Sequence, residues 1–208
     1  MISYLKSAEV KKRAFSGPVR FLPATKSLSK NCGLAVPLTA GIIPTMAENP
    51  TNPRVGIVMG SPTDAETMEK TRAVLSELGL PCEMKVCSAH RTPQRAHNYA
   101  TTAAKRGLEV IIAAAGMSAH LAGVMAALTH LPVIGVPMEG KLAGGLDSLL
   151  STVNMPKGVP VATVSLGSHG ATNAGILAAS IIARGDKDVE QRLIEYRKQQ
   201  SEAVPEDV

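Results

Sequence analysis

Tryptophan is absent from the chain and other aromatics are nearly so: Phe15, Phe21, Tyr4, Tyr99 and Tyr196 are the whole complement in 208 residues. Any core must therefore be built from Ala, Val, Ile, Leu and Met. Base stacking on aromatic platforms has little to work with, so nucleic acid is not an expected partner. No uninterrupted apolar run approaches the ~18 residues that cross a bilayer, so no membrane partner is expected either. The 3 cysteines, Cys32, Cys82 and Cys87, lack the paired spacing of a metal site. They read as small apolar side chains, reduced in a cytoplasmic compartment, rather than as a secreted disulfide framework.

Acidic residues are scarce in one place only. Seven Lys or Arg side chains precede Met46 against the single acid Glu9, so the formal charge of +5 belongs to that segment and the remainder is near neutral. Residues 1–47 are expected to be a basic extension outside the folded domain. Three origins suit its Lys-, Ser- and Pro-rich composition: a flexible extension, translated sequence upstream of a start at Met46, or a transit peptide. The first two are preferred; the third leaves an organellar location open. Residues 48–208 are enough for one sizeable core and are expected to form a single catalytic domain ending in a helix.

From Arg54 onward, strands and helices alternate. A buried strand is expected at Arg54–Gly60, a second short strand at Cys82–Cys87, fully apolar strands at Glu109–Ala115 and Pro132–Pro137, and a further strand at Val161–Ser165. Helices are expected at Asp64–Leu78, Pro93–Arg106, Ser118–Leu128, Leu146–Val153, Ala171–Ala183 and Lys187–Gln200. Gly79 stops the first helix, and Pro93 opens the second where its missing N–H costs nothing. Alternation of this kind implies a three-layer α/β sandwich around a mostly parallel sheet, flavodoxin- or Rossmann-like. Ligands in such folds bind beyond the carboxyl ends of the strands.

Three strand ends carry chemistry. After the first, Gly60-Ser61-Pro62-Thr63-Asp64 runs straight into a helix, where Ser61 and free N–H groups suit an anion. Asp64 reads first as that helix's cap and second as an acceptor for ribose hydroxyls. After the second strand, Ser88-Ala89-His90-Arg91-Thr92-Pro93 supplies a hydroxyl and a guanidinium fork for phosphate, with an imidazole between them. After the third, small residues at Gly116, Ser118 and Ala119 admit a planar ring close to the backbone. His120, judged from its neighbours, reads as hydrogen-bonded within the core ahead of a second active-site imidazole. His97 and His130 read as structural or surface residues, and His169 lies in a mobile-looking turn with no role. Together these segments point to a substrate the size of a nucleoside monophosphate, although a sugar phosphate would need much the same groups.

Several segments in order resemble the aminoimidazole ribonucleotide carboxylase family, in its bacterial-type mutase class. They are VGIVMGSPTD, VCSAHRTP, GLEVIIAAAG, LPVIGVP, GLDSLLSTVNMPKGVPVATV and the Ala-rich helix from Ala171, covering roughly Arg54 to Val204. The resemblance implies conversion of 5-(carboxyamino)imidazole ribonucleotide to its carbon-4 carboxylate in purine biosynthesis. It implies His90 as acid/base with His120 near it, Ser61, Ser88 and Arg91 on the phosphate, and Asp64 on the ribose. The backbone of Gly116, Ser118 and Ala119 would line the imidazole and carboxylate pocket. It also implies a homo-octamer that needs neither metal nor organic cofactor. Arg91 after His90 matches the mutase class; Lys there is usual in the class that carboxylates aminoimidazole ribonucleotide directly. Met117 stands where a Gly is usual. A direct carboxylase, or a nucleotide- or flavin-binding module without catalysis, are the alternative functions.

Overall fold

The computed structural model describes residues 52–206. The basic extension expected over 1–47, and Cys32 within it, lie outside the described residues. Five parallel strands form one sheet: β1 (Val55–Met59), β2 (Cys82–Val86), β3 (Val110–Ala115), β4 (Val133–Pro137) and β5 (Ala162–Thr163), in spatial order β2-β1-β3-β4-β5. That order is flavodoxin-like, and it settles the choice the sequence left open. Among the described residues six α-helices flank the sheet: α1 (Ala65–Glu77), α2 (Pro93–Ala103), α3 (Leu121–Leu128), α4 (Leu146–Val153), α5 (Gly167–Ile182) and α6 (Lys187–Glu202).

The central strands β1, β3 and β4 are apolar throughout because both faces are covered, whereas the edge strand β2 carries Glu83 and Lys85 and is only partly buried. Side chains alternate: Val55, Ile57 and Met59 of β1 face one core with Val110, Ile112 and Ala114 of β3. Val58, Ile111 and Ala113 face the other. The first core is closed by Met68, Val74 and Leu75 of α1, by Ala171, Ala174 and Ala178 of α5, and by Val189 and Leu193 of α6. The second is closed by Ala96, Tyr99 and Ala100 of α2 and by Leu121 and Met125 of α3. Fully buried residues such as Ile57, Ile112 and Leu75 contribute on the order of 1.5–3 kcal/mol each.

Small residues let the layers approach. A Cβ on Gly175 of α5 would collide with Val74 of α1, so only Gly permits that crossing. The Thr71 hydroxyl of α1 donates to the Ala171 carbonyl at 2.7 Å, sealing the same contact. Gly135 of β4 makes room in the same way for Thr152 of α4. The Ala-rich α5 thus packs inside this chain, against α1.

Three boundaries differ from expectation. The Gly167–Gly170 segment, read as a mobile turn, is the first turn of α5, and His169 sits exposed on it. Gly167 (φ 61) turns the chain at the first residue of that helix. β5 shrinks to two residues, Ala162–Thr163, paired with β4 at the edge of the sheet. The segment from Ser118 to His120 is loop rather than helix, and α3 begins at Leu121.

At the end of the sheet where the strands begin, Arg54 joins three elements. Its guanidinium pairs with Glu109 just before β3 and, at 2.6 Å, with Asp186 at the start of α6. Asp186 also caps α6, accepting from the N–H groups of Asp188 and Val189 at 3.1 and 3.2 Å. No helix among the described residues is long and apolar enough to cross a membrane.

Candidate active site

The chain leaves β1 for β2 on one side, then crosses to β3 on the other, so the winding changes direction between β1 and β3. The loops there diverge and leave a crevice. A cavity of about 1150 Å³ occupies it, lined by the segments following β1, β2, β3 and β4. Ser61, Asp64, Ser88, His90, Arg91, Gly116, Ser118 and His120 all lie on its wall. Ala119 does not: it is 1% exposed and turned into the core, leaving its neighbours to line the cavity.

Arg91 ties two strand ends together. It donates to the Gly60 carbonyl at 2.7 Å and, through Nε, to the Ser88 hydroxyl at 3.3 Å. The Arg91 N–H also donates to that hydroxyl at 3.2 Å. Ser88 Oγ is therefore an acceptor twice over, and its own hydrogen is free for a third party. Ser61 Oγ stands the same way, accepting from the Thr63 N–H at 3.3 Å and the Thr63 hydroxyl at 2.8 Å. Two free hydroxyl hydrogens and the remaining guanidinium N–H groups form a donor-rich corner, which is what a phosphate needs.

Asp64 is not the helix cap that the sequence favoured. Ser61 takes the capping role for the 3-10 turn Pro62–Asp64, and Asp64 makes no capping hydrogen bond to α1. Its side chain is 9% exposed, and Oδ2 is buried with no partner. Burial pushes this carboxyl up; the Ser61 backbone, the Thr63 hydroxyl and the Arg91 charge pull it down without cancelling the shift. An orphaned carboxylate oxygen on a cavity wall costs stability until a ligand donates to it.

His120 is not in the core either. It is exposed, and its Nδ1 lies 3.0 Å from His90 Nε2, with the rings edge to face at a centroid separation of 5.0 Å. One ring must donate and the other accept, so the two share a proton position. The sequence shows no sign of this contact, because the two residues are thirty positions apart on different strand ends. His97 and His130 are exposed and outside the cavity lining.

The fourth strand end was missed. Met138, Glu139, Gly140, Lys141 and Leu142 complete the wall, with Asp147 from the first turn of α4. The signal was available: β4 adjoins β3, so the loop after it must border the same crevice. Ser148, buried in α4, donates to the Met138 carbonyl at 2.6 Å and fixes the root of this loop. Asp147 Oδ1, like Asp64 Oδ2, is buried without a partner.

Only two non-glycine residues among those described have a left-handed backbone, Met117 (φ 58) and Ala143 (φ 45). Such a conformation costs roughly 1–2 kcal/mol for a residue with a Cβ. Met117 follows β3 on the cavity wall, and Ala143 follows Leu142, which lines the same cavity. The thiols of Cys82 and Cys87 are free and pushed up chiefly by burial, which fits ordinary packing rather than nucleophilic chemistry.

The family model for AIR carboxylase matches residues 54–203. The chain belongs to the AIR carboxylase family. Within that family it is 54% identical over 154 residues to the N5-carboxyaminoimidazole ribonucleotide mutase of Bacillus subtilis (strain 168), covering 74% of this chain and 95% of that one. It is 53% identical over 154 residues to the bifunctional purine synthesis protein purC/E of Dictyostelium discoideum, of which it spans 15% of the length. The crystal structure of Treponema denticola PurE superposes with a TM-score of 0.65 at 27% identity, covering 73% of this chain and 93% of that one. These AIR carboxylase relatives align with the α/β domain that carries the cavity.

Proposed function

We propose that the chain is an isomerase of purine biosynthesis, converting 5-(carboxyamino)imidazole ribonucleotide to the 4-carboxylate of aminoimidazole ribonucleotide, with His90 as its acid/base. What carries the reading is the placement of His90. It stands beside the Ser88–Arg91 anion corner and within hydrogen-bond distance of a second imidazole. The 54% identity to a mutase over nearly its whole length supports the same choice.

The residue types suit each step. Ser61, Ser88 and Arg91 hold the substrate phosphate, and Asp64 accepts from the ribose hydroxyls that its unpartnered oxygen lacks. The substrate carries its carboxyl on the exocyclic nitrogen. His90 gives that nitrogen a proton, the nitrogen–carbon bond breaks, and carbon dioxide is released beside a nucleophilic aminoimidazole. Ring carbon 4 attacks the trapped molecule, and His90 takes the ring proton to restore aromaticity. One proton leaves and one returns, so bonds and charges balance with no metal or organic cofactor. His120, hydrogen-bonded to His90, orients the ring and stabilises it when charged.

Assembly as a homo-octamer belongs to this proposal, as do a cytoplasmic location and a single catalytic domain over 48–208. The support for assembly comes from α4. Leu146, Leu150 and Val153 are 46%, 48% and 49% exposed while Ser148 and Thr152 are buried. Spacing of four and three places the apolar three on one face. A helix with its polar side inward and its apolar side in water is built to be covered by another subunit. Light scattering should give an assembly of eight, and Leu150→Glu should lower its mass.

The activity is tested by substrate choice. The purified protein should convert the carbamate substrate without added bicarbonate. Turnover of aminoimidazole ribonucleotide plus bicarbonate alone would give the function to direct carboxylation instead. An absence of both, with binding of a mononucleotide retained, would favour a binding module.

A further inference from the structure

Two large apolar side chains stand exposed on the cavity wall: Met117 on a left-handed backbone, and Leu142 just before the left-handed Ala143. Met117 itself is 74% exposed, and Leu142, next to Ala143, is 66% exposed; both line the cavity. Left-handed backbone in residues with a Cβ is retained where the position of the side chain matters, and such strain gathers at functional sites. Neither side chain belongs to either core.

We infer that Met117 and Leu142 are retention residues: they close apolar walls over the bound nucleotide and keep the released carbon dioxide from escaping or being hydrated. The inference rests on the mutase reading above. The nitrogen–carbon bond has broken and the carbon–carbon bond has not yet formed, so the transferred group is for that interval a free, small, uncharged molecule. Polar walls would bring water to it, and escape would leave aminoimidazole ribonucleotide as a dead-end product. A thioether and an isobutyl group offer it contact without hydrogen bonds, and methionine's flexible chain adapts to a shallow lid. Met117 stands on the same loop as His120 and two residues after the end of β3, so the lid is beside the proton carrier. Glycine at 117 would remove the strain and also the wall; the chain keeps the strain.

The experiment follows the label. Substrate carrying ¹³C in its carbamate is turned over in unlabelled bicarbonate with carbonic anhydrase present. The readouts are the ¹³C fraction of the carboxylated product and the ratio of product to released aminoimidazole ribonucleotide. Both are ratios, independent of overall rate. The original protein should keep most of its label. Met117→Gly and Met117→Ala should each raise the released fraction at least fivefold and lower the label in proportion. Leu142→Ala should do the same to a smaller extent, and Met117→Leu should restore retention. Met117→Gly should also melt higher, since the left-handed strain is gone, so a folding failure is not the expected route to leakage. Unchanged label retention in Met117→Gly and Met117→Ala, with turnover, overturns the lid and leaves the mutase standing. No conversion of the carbamate by the original protein overturns both.

Discussion

His90 Nε2 and His120 Nδ1 meet at 3.0 Å across the ends of β2 and β3, one ring edge-on to the other. Neither loop alone would hold its imidazole in place, since both residues are exposed. The contact gives His90 a defined orientation and a partner for its second proton position. If His120 acts by positioning His90, His120→Asn should lower kcat by about 10- to 100-fold and leave KM within about threefold. A KM effect larger than the kcat effect would move His120 into substrate binding.

The Ser88–Arg91 corner predicts the opposite split. Hydrogen bonds to a charged group are worth about 1.5–3 kcal/mol, so Arg91→Ala should raise KM by roughly 10- to 100-fold. Ser88→Ala should raise it less. Inhibition by ribose 5-phosphate should weaken in parallel, whereas inhibition by the dephosphorylated riboside should not change. Equal losses for both inhibitors would show that Arg91 shapes the loop instead of holding the phosphate.

Asp64 is strained in charge where Met117 is strained in backbone. Its folded-state value lies above the ordinary one because burial disfavours the carboxylate. The penalty is absent below the unfolded value, near pH 4, and grows as pH rises through the folded one. Asp64→Asn should therefore melt higher than the original protein at pH 7, by about 2–4 °C for ~1 kcal/mol, and by less at pH 3.5. Substrate affinity should fall at the same time. A lower melting temperature at pH 7 would mean that the carboxylate has partners in the empty site.

Asp186 shows the reverse sign. Its carboxyl is held down first by the Arg54 guanidinium and then by the Val189 N–H. A depressed carboxylate contributes stability that is present above its unfolded value, near pH 4, and lost as pH falls through the lower folded one. Asp186→Ala should lower the melting temperature at pH 7, and the gap should narrow toward pH 3. A gap that stays constant with pH would assign the loss to the cap geometry alone.

Much of this was legible in the sequence. Apolar runs ending at Gly60 and Gly116 marked two strand ends, the short Cys82–Cys87 segment marked a third despite its Glu83 and Lys85, and the alternation with helices marked the parallel sheet. The order β2-β1-β3-β4-β5 was not legible, because periodicity says which residues are buried and not which strands are neighbours. The same limit hid the pairing of His90 with His120 and the part played by Glu139 to Leu142. Asp64 was misread because an acidic residue ahead of a helix usually caps it, and here Ser61 had already taken that place. The α4 surface was missed for a simpler reason: an apolar stripe looks the same in sequence whether it faces the core or a neighbouring subunit.

The central claim is that His90 carries the proton both ways, and replacing it tests that most directly. His90→Asn keeps a polar side chain of similar size but cannot act as an acid/base. Calorimetry should show the 4-carboxylate product bound within about threefold of the original affinity, while turnover of the carbamate falls ~10²–10⁴-fold. Turnover within tenfold of the original, with binding intact, would contradict the claim and place the proton transfer on another group.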